Sequence, residues 1–209
     1  MNLMKKLGMK ALITDIDGPL GNCEKAAYNI SQEVGDLYSR AKNNPSLLQD
    51  VTYDMDFENV MQKLVWEFDI HPGVVDTLKK TRRIGYVNFA ITDNPIFGPE
   101  VNRIIFEQRL DNGIKEIHPT IIPRVVGGKI VFENNGPKNE YIDDKFRIYE
   151  SGVLIVDDKN DLEAAEHAKK LRNEEGYEIK IIKVGNNCRE LDKHVDYIMS
   201  NFNEILNIV

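Results

Sequence analysis

The chain has 209 residues, 42% hydrophobic and 29% charged, with a formal net charge of -7. This supplies one good core or a core plus a small insert. Its acidic balance argues against general binding to nucleic acid or to anionic membranes, while an anionic substrate stays open where a bound divalent cation reverses the local field. No apolar run reaches the roughly 18 residues of a membrane span, and two distant cysteines, Cys23 and Cys188, with four histidines at no ligand spacing, exclude a disulfide framework or zinc site and fit a reducing, cytoplasmic setting.

In chain order, the basic segment Met1–Lys10 is followed by no long apolar stretch, and Ala11-Leu-Ile-Thr14 reads as a buried strand. Residues 19–71 break the pattern and read as helical. Ala26, Ala27, Ile30, Val34, Leu37 and Tyr38 recur at helical spacing, as do Phe57, Val60, Met61, Leu64, Val65 and Phe68 after a cap at Asp56. A helix over Pro72–Arg83 leads to a strand at Val87–Ile91, and a helix over Pro99–Leu110 follows. In Ile121–Glu133, Gly127-Gly128 joins two β-prone runs and predicts a hairpin. Then come a helix over Asn139–Tyr149, a strand at Gly152–Val156, a helix over Leu162–Arg172, strands at Ile179–Val184 and Val195–Met199, and a last helix over Phe202–Ile208. Strands alternating with helices predict an α/β fold with a Rossmann-like, doubly wound parallel sheet. Residues 1–18 and 72–209 form its core, and 19–71 form a small α-helical insert after the first strand.

Such sheets bind ligands at the carboxyl ends of their strands, so the residues that follow each strand carry the functional reading. The first strand ends in Asp15-Ile-Asp17-Gly18, where two acids can reach one site and Gly18 lets the chain leave sharply. The second ends in Thr92-Asp93-Asn94, a hydroxyl and an amide suited to phosphoryl oxygens. The third ends in Asp157-Asp158-Lys159-Asn160-Asp161. Capping the next helix needs one acid, for which Asp161 is a candidate. Three acids beside two more call for a cation, and oxygen-only ligands suit magnesium. Lys138 stands at a predicted helix start, where it can enter the site, while taken alone it reads as an exposed, solvated lysine. Tyr28, Tyr38, Tyr53 and Trp66 of the insert are read as core or surface aromatics.

Taken in order, DxDG, a strand-end Thr, a Lys and an acidic cluster resemble the haloacid dehalogenase superfamily over essentially the whole chain. The likeness puts its first motif on Asp15 and Asp17, its second on Thr92, its third on Lys138 and its fourth on Asp157 and Asp161, with Val156 where many members have Gly. Lys145 and Lys129 are rivals for the motif lysine. Gly136-Pro-Lys-Asn-Glu140 resembles the third motif of phosphoserine-phosphatase-like members and favours Lys138.

The resemblance implies a phosphatase acting on a small phosphorylated metabolite, with residues 19–71 as a cap. Asp15 would be the nucleophile and Asp17 the general acid and base. Thr92, Asn94 and Lys138 would hold phosphoryl oxygens. Mg2+ would bind Asp15, the Asp17 carbonyl and Asp157, with Asp161 and Asp158 holding metal-bound water or orienting Lys138. An acid two residues after the nucleophile favours phosphate esters over carbon–halogen or carbon–phosphorus bonds. A phosphotransferase or phosphomutase would use the same residues, and a non-catalytic protein on the fold is the other class. A receiver domain orders its motifs differently. No nucleotide-binding GxxxxGK[ST] or strand-borne GxGxxG occurs.

Overall fold

The structure is a computed structural model that describes residues 8–43, 55–127, 129–149, 151–185 and 189–209. Residues 1–7 of the basic N-terminal segment, Tyr53, Gly128 and Cys188 lie outside the described residues.

Ten strands and seven α-helices are described: β1 (Lys10–Asp15), β2 (Gly21–Asn22), α1 (Cys23–Ile30), α2 (Gln32–Asn43), α3 (Met55–Glu67), β3 (Asp69–Ile70), α4 (Val74–Arg83), β4 (Tyr86–Thr92), α5 (Glu100–Arg109), β5 (Glu116–Pro119), β6 (Ile121–Val126), β7 (Lys129–Asn134), α6 (Lys138–Tyr149), β8 (Gly152–Val156), α7 (Lys159–Glu174), β9 (Ile179–Val184) and β10 (Tyr197–Met199). The six-stranded sheet has the order β10-β9-β8-β1-β4-β5, and all its pairings are parallel.

Strands buried on both faces are rich in apolar residues, as in Ala11-Leu-Ile13, Phe89-Ala-Ile91, Val153-Leu-Ile-Val156 and Ile181-Ile182, with Asn88 and Lys183 as buried polar exceptions. Alternation along each strand then divides the core in two. Leu12, Ala90 and Ile155 face α4, α5 and a C-terminal turn of 3-10 helix over Phe202–Asn207, through Leu78, Phe106 and Phe202. Ala11, Ile13, Phe89 and Leu154 face α6 and α7, through Phe146, Leu162 and Ala165. Burial of each Leu, Ile or Phe side chain among these contributes about 1.5–3 kcal/mol.

The chain runs from β1 outward to β4 and β5, then returns to lay β8, β9 and β10 on the other side of β1. The winding direction therefore reverses beside β1, and a crevice opens at its carboxyl end.

The insert is helical as the spacing predicts, with three differences in detail. Its first helical stretch divides at Ser31, whose extended backbone ends α1 and whose hydroxyl accepts the Val34 N–H at 3.1 Å at the start of α2. α3 is already helical at Met55, one residue before the expected cap at Asp56. Both ends of the insert are tied by the antiparallel pair β2–β3, with Gly21 opposite Ile70 and Asn22 opposite Asp69.

Elsewhere the cap of α7 is Asp158, which accepts the Asp161 N–H at 2.8 Å, so Asp161 sits inside the first turn rather than ahead of it. The last helix is 3-10 rather than α, in keeping with its six-residue length. The expected hairpin is present as β6–β7, with Val126 opposite Lys129.

Candidate active site

Asp15 is the last residue of β1 and lies opposite Ile91 of β4, one residue before Thr92. The chain leaves β1 through Gly18, whose φ of 95° belongs to the left-handed region and whose N–H donates to the Gly21 carbonyl at 2.9 Å. A Cβ on Gly18 would stand 1.9 Å from Asp157 Oδ2, so the β1 exit and the β8 exit touch at a point only glycine fits.

Asp15, Asp157 and Asp161 each offer a carboxylate oxygen, and these oxygens lie within 4.8 Å of one another. Asp15 Oδ1, Asp157 Oδ1 and Asp161 Oδ2 are buried and accept no hydrogen bond. Buried carboxylate oxygens left without donors are costly, and three carboxylates that come together with one such oxygen each match the all-oxygen donor set of a hard divalent cation.

Burial, the Asp161 charge and, more weakly, Asp157 and Asp17 push the Asp15 carboxyl well above the usual carboxylate range, against the pull of Lys138. Burial and the charges of Asp161 and Asp158 push Asp157 up to about 8. Burial raises Asp161 to about 6, opposed by Lys138.

Lys138 opens α6 and is buried there. Its Nζ donates to Asp161 Oδ1, lies 2.9 Å from Asp93 Oδ2 and 3.6 Å from Asp15 Oδ1. Burial disfavours its charge, but Asp15, Asp161 and Asp93 outweigh that and hold the ammonium above its ordinary value. The rival lysines are elsewhere. Lys145 pairs with Glu116 at 2.7 Å and lies over the Phe89 and Tyr141 rings, while Lys129 is exposed on the hairpin.

Thr92 is buried, and its hydroxyl oxygen accepts the Asn94 N–H at 3.1 Å, which leaves the hydroxyl proton to donate. Asp93, to which the sequence reading gave no role, is gripped between Lys138 and the Thr120 hydroxyl.

Asn94 was expected on a phosphoryl oxygen, and its side chain is engaged elsewhere. Its Oδ1 accepts the Ile96 N–H at 3.1 Å, which fixes the orientation of the amide, and its Nδ2 donates to Asp17 Oδ2 at 3.0 Å and to the Tyr38 hydroxyl at 2.6 Å. Both amide protons are used.

Asp17 stands apart from the carboxylate cluster. Its Oδ1 accepts the Cys23 N–H at 2.9 Å, and its Oδ2 accepts the Tyr38 hydroxyl at 2.8 Å as well as Asn94. Tyr38, read from sequence as a core or surface aromatic, is therefore part of the site. Burial and the nearby Cys23 and Asp17 push its hydroxyl well above the ordinary tyrosine value, so it keeps its proton. Tyr28 instead meets Asp36 at 3.2 Å, and Trp66 is exposed.

No family model matches the chain, and no curated protein matches it in sequence. Solved structures do match over nearly the full length. A substrate-bound phosphoserine phosphatase complex is 20% identical with a TM-score of 0.68, covering 96% of this chain and 98% of its own. A phospho-aspartyl intermediate analogue of phosphoserine phosphatase is 19% identical with a TM-score of 0.68, covering 96% and 99%. A HAD phosphatase from Thermococcus onnurineus is 16% identical with a TM-score of 0.62, covering 96% and 97%. The six-stranded parallel sheet flanked by helices is thus an α/β, Rossmann-like core shared with phosphatases. The chain has the haloacid dehalogenase superfamily fold.

Proposed function

We propose that the chain is a magnesium-dependent phosphomonoester hydrolase that acts on a small phosphorylated metabolite through an aspartyl-phosphate on Asp15. The observation that carries this reading is the convergence of three buried carboxylates, Asp15, Asp157 and Asp161, each with an oxygen that accepts no hydrogen bond, beside the ammonium of Lys138. The likeness to a phospho-aspartyl intermediate analogue of phosphoserine phosphatase supports it.

The residues fit a magnesium ion: Asp15, Asp157 and Asp161, with the Asp17 carbonyl, would hold it, and Asp158 would give outer support. When bound, the cation supplies charge neutralisation between Asp15 and the incoming phosphoryl group.

The chain's own groups carry the steps. Thr92 and Lys138 grip phosphoryl oxygens and orient the ester for in-line attack. An Asp15 oxygen forms a bond to phosphorus as the ester P–O bond breaks, and protonated Asp17 gives its proton to the leaving oxygen. Asp17 then accepts a proton from the attacking water as the acyl-phosphate P–O bond breaks. This releases phosphate, frees the Asp15 carboxylate and restores protonated Asp17. Residues 19–71 act as the cap that excludes bulk water and selects the substrate.

The test is phosphate release from sugar phosphates, phosphoserine, phosphoglycolate and nucleotides, with magnesium and with a chelator. The reading expects free phosphate from at least one ester, lost on chelation. No release from any ester contradicts it, and transfer to an organic acceptor without free phosphate makes the chain a phosphotransferase.

A further inference from the structure

Resting on the hydrolase reading above, we propose that Tyr38 is a positioning residue for Asp17, borne by the cap, which fixes the acid/base carboxyl and ties its orientation to the seating of helix α2 on the core. The basis is a three-cornered hydrogen-bond junction. Tyr38 in α2 donates to Asp17 Oδ2 at 2.8 Å, and Asn94 in the core donates to that oxygen at 3.0 Å and to the Tyr38 hydroxyl at 2.6 Å. The other carboxyl oxygen is held by the backbone N–H of Cys23, the first residue of α1, at 2.9 Å.

Each corner comes from a different part of the chain: the exit of β1, the insert, and the segment after β4. Tyr38 is separated from Asp17 by 21 residues and from Asn94 by 56. The junction can form only when α2 sits over the carboxyl end of the sheet. Hydrogen bonds to a carboxylate are the stronger kind, and a carboxyl group gripped at both oxygens has one orientation available. Asn94 is anchored in turn by the Ile96 N–H on its Oδ1, which braces the junction from the core side.

A structural anchor and a positioning residue differ in what their loss does. Proton donation matters most when the leaving group is a poor one, such as an alkoxide, and little when it is a stable phenolate. The second-order constant kcat/KM reports the steps up to loss of the alcohol or phenol, and so isolates the donor role of Asp17 from its later role as base.

The test compares wild type with Tyr38→Phe on the best alkyl phosphate from the substrate screen and on 2,4-dinitrophenyl phosphate, with magnesium present. The expected result is a kcat/KM loss on the alkyl ester at least tenfold greater than the loss on the dinitrophenyl ester. In an Asp17→Asn background, Tyr38→Phe should add less than about a twofold further loss on the alkyl ester. Equal losses on both esters, or losses that multiply with Asp17→Asn, overturn the positioning role while leaving the hydrolase reading intact. A wild-type chain that hydrolyses neither ester overturns both. A thermal midpoint for Tyr38→Phe within a few degrees of wild type shows that the comparison is between folded proteins, and Tyr38→His, which keeps a ring-borne donor, gives a second folded variant for the same ratio.

Discussion

Asp157 at about 8 and Asp161 at about 6 stand well above the roughly 4 of an exposed aspartate, with burial as the first cause in each. A carboxyl whose folded value is raised binds more protons folded than unfolded, so stability without metal falls as pH rises through the interval between the two values. The metal-free protein should therefore lose thermal stability from about pH 5 to about pH 8. Magnesium needs deprotonated ligands and should raise the midpoint more at pH 8 than at pH 5. Asp157→Asn removes one raised carboxyl. In chelator at pH 8 it should increase the midpoint by a few degrees, given roughly 2–4 °C per kcal/mol in a chain of this size, and it should shrink the magnesium-induced shift. A magnesium shift that is equal at both pH values, or untouched by Asp157→Asn, would place the cation elsewhere. At this scale the sequence was legible where residues end strands: Asp15, Asp17, Thr92 and Asp157 follow apolar runs and could be found by asking what comes next. Asp93 and Tyr38 were not, because their partners Lys138, Thr120, Asp17 and Asn94 are remote in sequence, and no spacing marks a contact that folding creates.

Among the elements, the strands around the crevice depend on close backbone approach. Gly152 begins β8 opposite Ala11, and a Cβ there would lie 1.8 Å from the Ala11 carbonyl oxygen. That atom belongs to the central strand and cannot move aside cheaply. Gly152→Ala should cost about 3 kcal/mol or more, measured as a lower urea midpoint, with Gly127→Ala in the hairpin as a reference that carries the strain of its φ of 61° but meets no atom within 4 Å. A Gly152→Ala loss no larger than the reference would mean that β8 and β1 are not paired in this register. The same geometry explains what could be read. β1, β4, β8 and β9 are buried on both faces and announce themselves as apolar runs. β2 and β3 have two residues each, too few for any periodicity, and the edge strand β5 is only Glu116-Ile-His-Pro119. Asp161 is a candidate cap by sequence, but all three acids in five residues satisfy the capping preference, and the bond from the Asp161 N–H to Asp158 gives the cap to Asp158.

Across the whole molecule, insert and core are joined by more than the β2–β3 pair. Phe68, just past α3, is fully buried and meets Phe97 and Phe106 edge-on, with centroids 6.1 and 5.0 Å apart. Leu20, Ala27, Leu64 and Val65 of the insert belong to the same apolar cluster as Leu12 and Ile155 of the sheet. A shared core predicts one cooperative transition. The single tryptophan, Trp66, lies in α3 and is partly covered there, so its fluorescence follows that helix while far-ultraviolet circular dichroism follows the whole chain. The two should give coincident urea curves, and an earlier fluorescence midpoint would mean that the insert unfolds alone. The helices between β1 and α4 were legible as a change from alternating strands to helical spacing. The aromatic seam that joins these helices to the sheet was not, because Phe68, Phe97 and Phe106 lie on three segments far apart in sequence. The central claim is that Asp15 carries the phosphoryl group, and rapid quenching of the magnesium-loaded protein with its best phosphate ester, followed by peptide mass spectrometry, tests it most directly. The account predicts a hydroxylamine-sensitive phosphoryl group on Asp15, increased in Asp17→Asn and missing in Asp15→Asn, whereas hydrolysis that persists in Asp15→Asn, or a phosphoryl group on another residue, would contradict it.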